Sequence, residues 1–142
     1  MSAEFFLDTN VIVYSFDSGA SEKSTIAFRL IRNALQTGEG IISTQVVQEF
    51  LNVATRKFSV PMKPEDAKQF LLKVLNPLCQ VYADLPLFES CLELQAETGY
   101  SFYDSLILAG AIRAGCSTVY SEDLQAGQTV RGVRIVNPFA VG

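Results

Sequence analysis

Glu4-Phe5-Phe6-Leu7-Asp8-Thr9-Asn10, running on into Val11-Ile12-Val13-Tyr14-Ser15-Phe16, is the stretch that decides the fold. Glu4–Asp8 is a short apolar run that ends in an acid, the pattern of a buried strand. Asn10–Phe16 is again apolar, and reads as a short helix. A buried strand that hands over to a helix at a polar residue is the opening unit of an α/β domain. The rest of the chain repeats that alternation.

Asp17–Lys23 reads as a loop, and Ser24 as the cap of a helix over Thr25–Gln36 with Ile26, Leu30, Ile31, Ala34 and Leu35 inward. Thr37-Gly38 stops it. Gly40–Ser43 is expected as strand two and Thr44–Lys57 as a helix. Pro64, Glu65 and Asp66 open the next helix, running to about Leu75, because proline suits the first turn and acids suit the dipole. Cys79–Ala83 is strand three; Leu85–Thr98 is a helix closed by Gly99; Ser101–Ala114 is an apolar helix closed by Gly115. Thr118–Ser121 is strand four and Val133–Val136 strand five. The expectation is one α/β domain over residues 1–142 with a central, mostly parallel, five-stranded sheet.

Composition narrows the chemistry. With 49% apolar residues, five prolines and nine glycines, the chain can bury a real core. No apolar run approaches the ~20 residues a membrane helix needs. The N-terminal stretch lacks the basic region of a signal peptide, so a cytoplasmic location is expected. Three widely spaced cysteines, Cys79, Cys91 and Cys116, form no CxxC pair and read as buried thiols. There is no histidine, which excludes Ser-His-Asp hydrolysis, Cys-His catalysis, HExxH metalloproteases and histidine-based ribonucleases. The net charge of −4 runs against the basic surface of most nucleic-acid binders. Setting aside four acids, the remaining eleven match the eleven Lys and Arg.

Those four are Asp8, Glu49, Asp104 and Asp123. Asp8 ends strand one, where it could also cap the following helix. Glu49 lies just beyond the inner arc of its helix, next to Val53; a solvated surface glutamate is the competing reading. Ser101-Phe102-Tyr103-Asp104 fits a capping pattern, yet Asp104 is the only charge between Glu97 and Arg113 on a helix apolar almost all round. A carboxylate buried there wants a partner, and a metal would serve. Asp123 follows strand four, where a turn role competes; Glu122 beside it could be an extra ligand, with a solvent-facing position the favoured reading. Glu89, Glu93 and Glu97 read as a solvated helix face. Open parallel sheets form sites beyond the carboxyl ends of their strands, so one shared cleft is expected. Four carboxylates in one cleft repel unless protons or cations neutralise them. Mg²⁺ and its relatives take oxygen ligands, need no histidine, and serve phosphodiester hydrolysis by activating water and stabilising the leaving oxygen.

Asp8-Thr9-Asn10, Glu49, Ser101-Phe-Tyr-Asp104 and Ser121-Glu-Asp123 together resemble the PIN-domain family, most closely the VapC-type toxin ribonucleases of prokaryotic toxin–antitoxin pairs. The tail Ser121-Glu-Asp-Leu-Gln…Val136-Asn-Pro-Phe139 is similar to one bacterial branch. The resemblance implies a three-layer α/β/α sandwich, Mg²⁺ or Mn²⁺ dependence, and cleavage of single-stranded RNA. It places Asp8, Glu49, Asp104 and Asp123 at the metal-binding positions, and Asn10 where the first aspartate is steadied. Ser121 takes a small-hydroxyl position near the metal, and Thr9 a structural one. It also implies a homodimer, pooling Arg56, Lys57, Lys63 and Lys68 around a groove, and an antitoxin whose C-terminal segment crosses the cleft.

The leading expectation is therefore a metal-dependent endoribonuclease. A catalytically silent RNA- or protein-binding module of the same fold is the alternative. A phosphoacceptor receiver domain wants adjacent acids after strand one and a lysine after the last strand; Thr9-Asn10 and Asn137-Pro138 stand there instead. A haloacid-dehalogenase-type phosphatase wants an aspartate where Asn10 stands.

Overall fold

The structure, a computed structural model, describes residues 3–16 and 21–140. Its strands are β1 (Phe5–Leu7), β2 (Gly40–Ser43), β3 (Cys79–Val81), β4 (Thr118–Tyr120), β5 (Thr129–Val130) and β6 (Val133–Val136). The helices are α1 (Thr9–Tyr14), α2 (Ser21–Thr37), α3 (Thr44–Arg56), α4 (Pro64–Phe70), α5 (Asn76–Leu78), α6 (Leu85–Thr98) and α7 (Phe102–Arg113).

The strands lie in the order β3-β2-β1-β4-β6-β5. All pairings are parallel except that of β5 with β6. Every residue of β1 and β2 is buried, which requires helices on both faces of the sheet. Phe6, Leu7, Ile42 and Ile135 are fully buried at its centre. Gly40 is where β2 meets β1 and α2 most closely: a Cβ there would stand 2.3 Å from the Phe5 ring and 2.5 Å from Ala34 Cβ. Gly40 thus lets β2 enter the sheet beneath α2.

The sheet has six strands rather than the expected five. The sixth, β5, is only two residues long and joins β6 through Arg131-Gly132, too short for a strand pattern in the sequence. Both turn residues have positive φ, 47° and 84°, as a tight two-residue hairpin requires. Arginine is an uncommon occupant of that conformation, so the usual Asn-Gly signal is missing.

The expected loop over Asp17–Lys23 fails at its end. α2 begins at Ser21, with Glu22 in its first turn, so Ser24 lies inside the helix and is not its cap. Residues 17–20 of that expectation lie outside the described residues. The helix opened by Pro64 runs beyond Leu75: α4 widens into a π-helical turn over Leu71–Leu75 and continues as α5. The widening directly precedes Pro77, whose ring would crowd the carbonyl of a regular α-turn. α7 buries seven consecutive residues, Ser105–Ala111, as its all-round apolar sequence dictates. The three cysteines are buried and free. No helix among the described residues is long and apolar enough to cross a membrane.

Candidate active site

Chain order reverses across the sheet at β1. The chain steps from β1 to β2 and β3 on one side, then returns to lay β4 against the other edge of β1. At such a reversal the connections leave β1 and β4 in opposite directions, opening a crevice beyond their carboxyl ends. Asp8 follows the last residue of β1, and Ser121-Glu122-Asp123 follows β4. The Asp8 amide donates to the Tyr120 carbonyl at 3.0 Å, and the Ser121 amide to the Val136 carbonyl at 3.0 Å. The parallel ladder therefore fixes the height at which both loops begin.

Ser121 is fully buried and holds the two loops together. Its hydroxyl donates to Asp8 Oδ2 at 2.7 Å and accepts from the amides of Asp123 (3.1 Å) and Leu124 (3.2 Å). Asn10 completes the join. Its Nδ2 donates to Asp123 Oδ2 at 3.2 Å and lies 3.5 Å from Asp8 Oδ2, while its Oδ1 accepts from the Glu122 amide at 3.2 Å. Asp8 Oδ1 accepts from the Thr9 amide at 2.7 Å, so the cap reading of Asp8 also holds.

An open cleft of about 400 Å³ lies over this join, and Asp8, Glu49, Asp104 and Asp123 all line it. The four differ in surroundings: Asp8 is buried, Glu49 and Asp104 half-buried, Asp123 exposed. Glu49 arrives from α3 and accepts a hydrogen bond from Thr9 Oγ1 at 2.7 Å. Thr9 thus joins α3 to the Asp8 loop, a role that its expected structural assignment did not specify. Asp104 is not buried as its helix suggested, because it sits in the first turn, at the solvent end of α7. Its amide donates to Ser101 Oγ at 3.2 Å, one half of the capping pattern. Among the described residues its carboxylate makes no hydrogen bond and faces the cleft free.

Glu122 does not simply face solvent. Its carboxylate accepts from Tyr14 Oη at 2.6 Å and from Lys23 Nζ at 2.5 Å, with the ammonium 4.7 Å above the Tyr14 ring. This cluster ties α2 to the loop after β4. The contact spans 99 residues of sequence, so no local pattern signals it. Gln45, one turn before Glu49 on the same stripe of α3, also lines the cleft and donates to the Tyr103 carbonyl at 3.0 Å. Glu89, Glu93 and Glu97 are exposed as expected, and Arg131 pairs with Glu97 at 3.3 Å and Glu93 at 3.9 Å. Arg56, Lys57, Lys63 and Lys68 are exposed.

Burial pushes the Asp8 carboxyl up from 3.8 to about 6. The Ser121 hydroxyl and Thr9 amide pull it down, while the charges of Asp123 and Glu49 push it further up. Asp8 is thus an electrostatically uncomfortable anion whose field favours a proton or a cation.

The donor set fits a hard divalent cation: carboxylates and hydroxyls, without a nitrogen or sulfur ligand among them. Among the described residues no three such side chains already converge as a ready-made cage. An ion that keeps several waters and touches one or two carboxylates does not need one.

A family model described as PIN domain matches residues 5–130, nearly nine-tenths of the chain, and the chain belongs to the PIN-domain family. Solved structures agree on the fold. A toxin–antitoxin complex from Klebsiella pneumoniae superimposes with a TM-score of 0.66 at 20% identity, covering 99% of this chain and 100% of that one. VapC20 of Mycobacterium tuberculosis, a sarcin-ricin loop cleaving toxin, gives 0.63 at 20% identity over 84% of this chain and 90% of its own. DNA-bound VapBC from Salmonella typhimurium gives 0.66 at 21% identity over 94% and 96%. No curated protein matches the sequence.

Proposed function

We propose that the chain is a single PIN-type unit over residues 1–142 that acts as a metal-dependent endoribonuclease, the VapC-type toxin of a type II toxin–antitoxin pair. The observation that carries the reading is the convergence of Asp8, Glu49, Asp104 and Asp123 on one cleft in a chain without histidine. The sarcin-ricin loop cleavage named for VapC20, which shares the fold, supports it.

In this reading Asp8, Glu49, Asp104 and Asp123 hold Mg²⁺ or Mn²⁺. When bound, such an ion supplies charge neutralisation and Lewis acidity to a phosphodiester. The chain's own part is positioning. Ser121 and the Thr9 amide fix the rotamer of Asp8, so both its oxygens are committed in direction. Asn10 holds Asp123 beside Asp8 against their mutual repulsion. Thr9 turns Glu49 towards the same loop. Asp104, whose carboxylate makes no hydrogen bond among the described residues, faces the same cleft. Val13, Val53 and Ile107 give part of the cleft wall an apolar lining beside these charges.

The same reading gives the chain a cytoplasmic location, an antitoxin partner and a homodimeric state. The Klebsiella and Salmonella complexes, a toxin–antitoxin pair and a DNA-bound VapBC, support the antitoxin. An inserted arginine would suit so acidic a cleft. In a dimer, the exposed Arg56, Lys57, Lys63 and Lys68 would supply the basic surface that the net charge of −4 otherwise denies the RNA.

The test is cleavage of a mixed RNA pool with Mn²⁺, beside an EDTA control and the Asp8→Asn protein. Discrete products that vanish in both controls are expected. Tight RNA binding without metal-dependent products, in a sample free of any bound small protein, would overturn the nuclease in favour of a binding module.

A further inference from the structure

Two tyrosines line the cleft, and their surroundings differ sharply. Tyr14 is fully engaged: its hydroxyl serves Glu122 and Lys23, the Lys23 ammonium sits over its ring, and Phe139 packs against it edge-on at 4.9 Å. Tyr103 is the opposite case. The residue is 64% exposed, and among the described residues its one ring neighbour is Phe102, edge-on at 5.3 Å and 89°. Among the described residues its hydroxyl has no hydrogen-bond partner.

An exposed aromatic ring on a loop tip is unremarkable. Tyr103 is not on one. It is the residue before Asp104, in the first turn of a helix that goes on to bury Ser105–Ala111. Its carbonyl is pinned by Gln45, itself 6% exposed and one turn from Glu49 on α3. The main chain under the ring is therefore held by the two helices that supply Glu49 and Asp104, while the ring itself is left open. A ring carried on a fixed main chain beside a group of carboxylates, with little protein against it, has surface to offer a flat partner. Bases lifted out of a duplex present such a surface, and stacking on an aromatic side chain is how unpaired RNA is commonly held.

Resting on the nuclease reading above, we propose that Tyr103 is a stacking platform for an unpaired base next to the scissile phosphate. A base can meet that ring only where the strand is unpaired, as in a loop, bulge or open segment. A duplex keeps both faces of its bases stacked and has none to give Tyr103. Gln45 is a positioning residue in this account, acting through the Tyr103 carbonyl.

The experiment uses the full chain with Mn²⁺ and a set of twelve-nucleotide single-stranded RNAs, each carrying 2-aminopurine at one successive position. Fluorescence is read by stopped flow, so binding is seen before cleavage, and products are counted from the same samples. In the wild type and in Tyr103→Phe, one position should be strongly quenched on binding. In Tyr103→Ala that quench should vanish and affinity should fall about tenfold, as expected for the loss of one stacked base. The same sequence as a duplex should show no quench with any of the three proteins. Unchanged quench and affinity in Tyr103→Ala would overturn the proposal while leaving the nuclease standing, and would turn attention to a protein surface on that ring. A wild type that neither binds nor cuts any of the RNAs would overturn both the nuclease reading and this proposal.

Discussion

Replacing Asp8 by asparagine should make the metal-free protein more stable, not less, above neutral pH. The carboxyl is raised from 3.8 to about 6, foremost by burial, so the folded state prefers it protonated. Its favourable contribution is complete below the unfolded value and is lost as pH rises through about 6. Above that, ionised Asp8 is a net cost. About two units of difference at ~1.36 kcal/mol each set a ceiling near 3 kcal/mol. Asparagine removes the charge but places an N–H₂ group where one oxygen stood. If that group faces Ser121, whose hydroxyl now donates to Oδ2 at 2.7 Å, that hydroxyl must turn, which costs about 1 kcal/mol. The net expectation is a gain of about 2 kcal/mol, or a melting temperature higher by roughly 4–8 °C for a chain of this size. The assay is thermal unfolding by circular dichroism in EDTA from pH 4 to pH 8. At pH 4, where the charge cost has largely gone but the turned hydroxyl remains, Asp8→Asn should melt level with or slightly below the wild type; by pH 8 it should melt above it. An Asp8→Asn protein that melts at or below the wild-type temperature at pH 8 would refute the claim that Asp8 is held as a strained anion.

Three further outcomes follow from named contacts. Gly40→Ala should destabilise by about 1–3 kcal/mol or more in urea unfolding, because the new methyl meets the Phe5 ring at 2.3 Å and buried Ala34 at 2.5 Å. Thr9→Val should leave the melting temperature nearly unchanged in EDTA but weaken Mn²⁺ binding by roughly tenfold in calorimetry, since it removes the hydroxyl that orients Glu49 at 2.7 Å. Ser121→Ala should cost about 1–3 kcal/mol through the stranded amides of Asp123 and Leu124. It should also raise the Asp8 carboxyl further, because that hydroxyl is the largest influence pulling it down; NMR titration of the Asp8 side chain would show it.

Much of this was legible in the sequence because the signals were local. β1 is an uninterrupted apolar run, β2 is Gly-Ile-Ile-Ser between a helix stop and the next helix, and α6 is bracketed by Asp84-Leu85-Pro86 and by Gly99 at φ 79°. Asp8 and Asp123 could be placed because strand ends are easy to read and sites gather beyond them. What stayed hidden depends on contacts between distant residues or on strained backbone. Nothing near Lys23 announces that it will reach Glu122, and that contact accompanies a helix that starts earlier than Ser24. The hairpin at Arg131-Gly132 requires positive φ at an arginine, which composition does not flag. The exposure of Asp104 was misjudged because an all-round apolar helix suggests burial along its whole length, whereas its first turn opens onto the cleft. Thr9 and Gln45 carry no motif of their own; only the packing of α3 against the start of α1 and α7 shows what they hold.

In the proposed site, four acids from four separate segments act as one cation-binding group. The most direct measurement is a Mn²⁺ titration followed by electron paramagnetic resonance, on the wild type and on Glu49→Gln, Asp104→Asn and Asp123→Asn singly. Saturable binding in the wild type that weakens in each variant, while the folded state persists by circular dichroism, is the result expected of a shared site. Binding of equal strength in all four proteins would contradict it, and would reduce the cleft to a set of unrelated surface carboxylates.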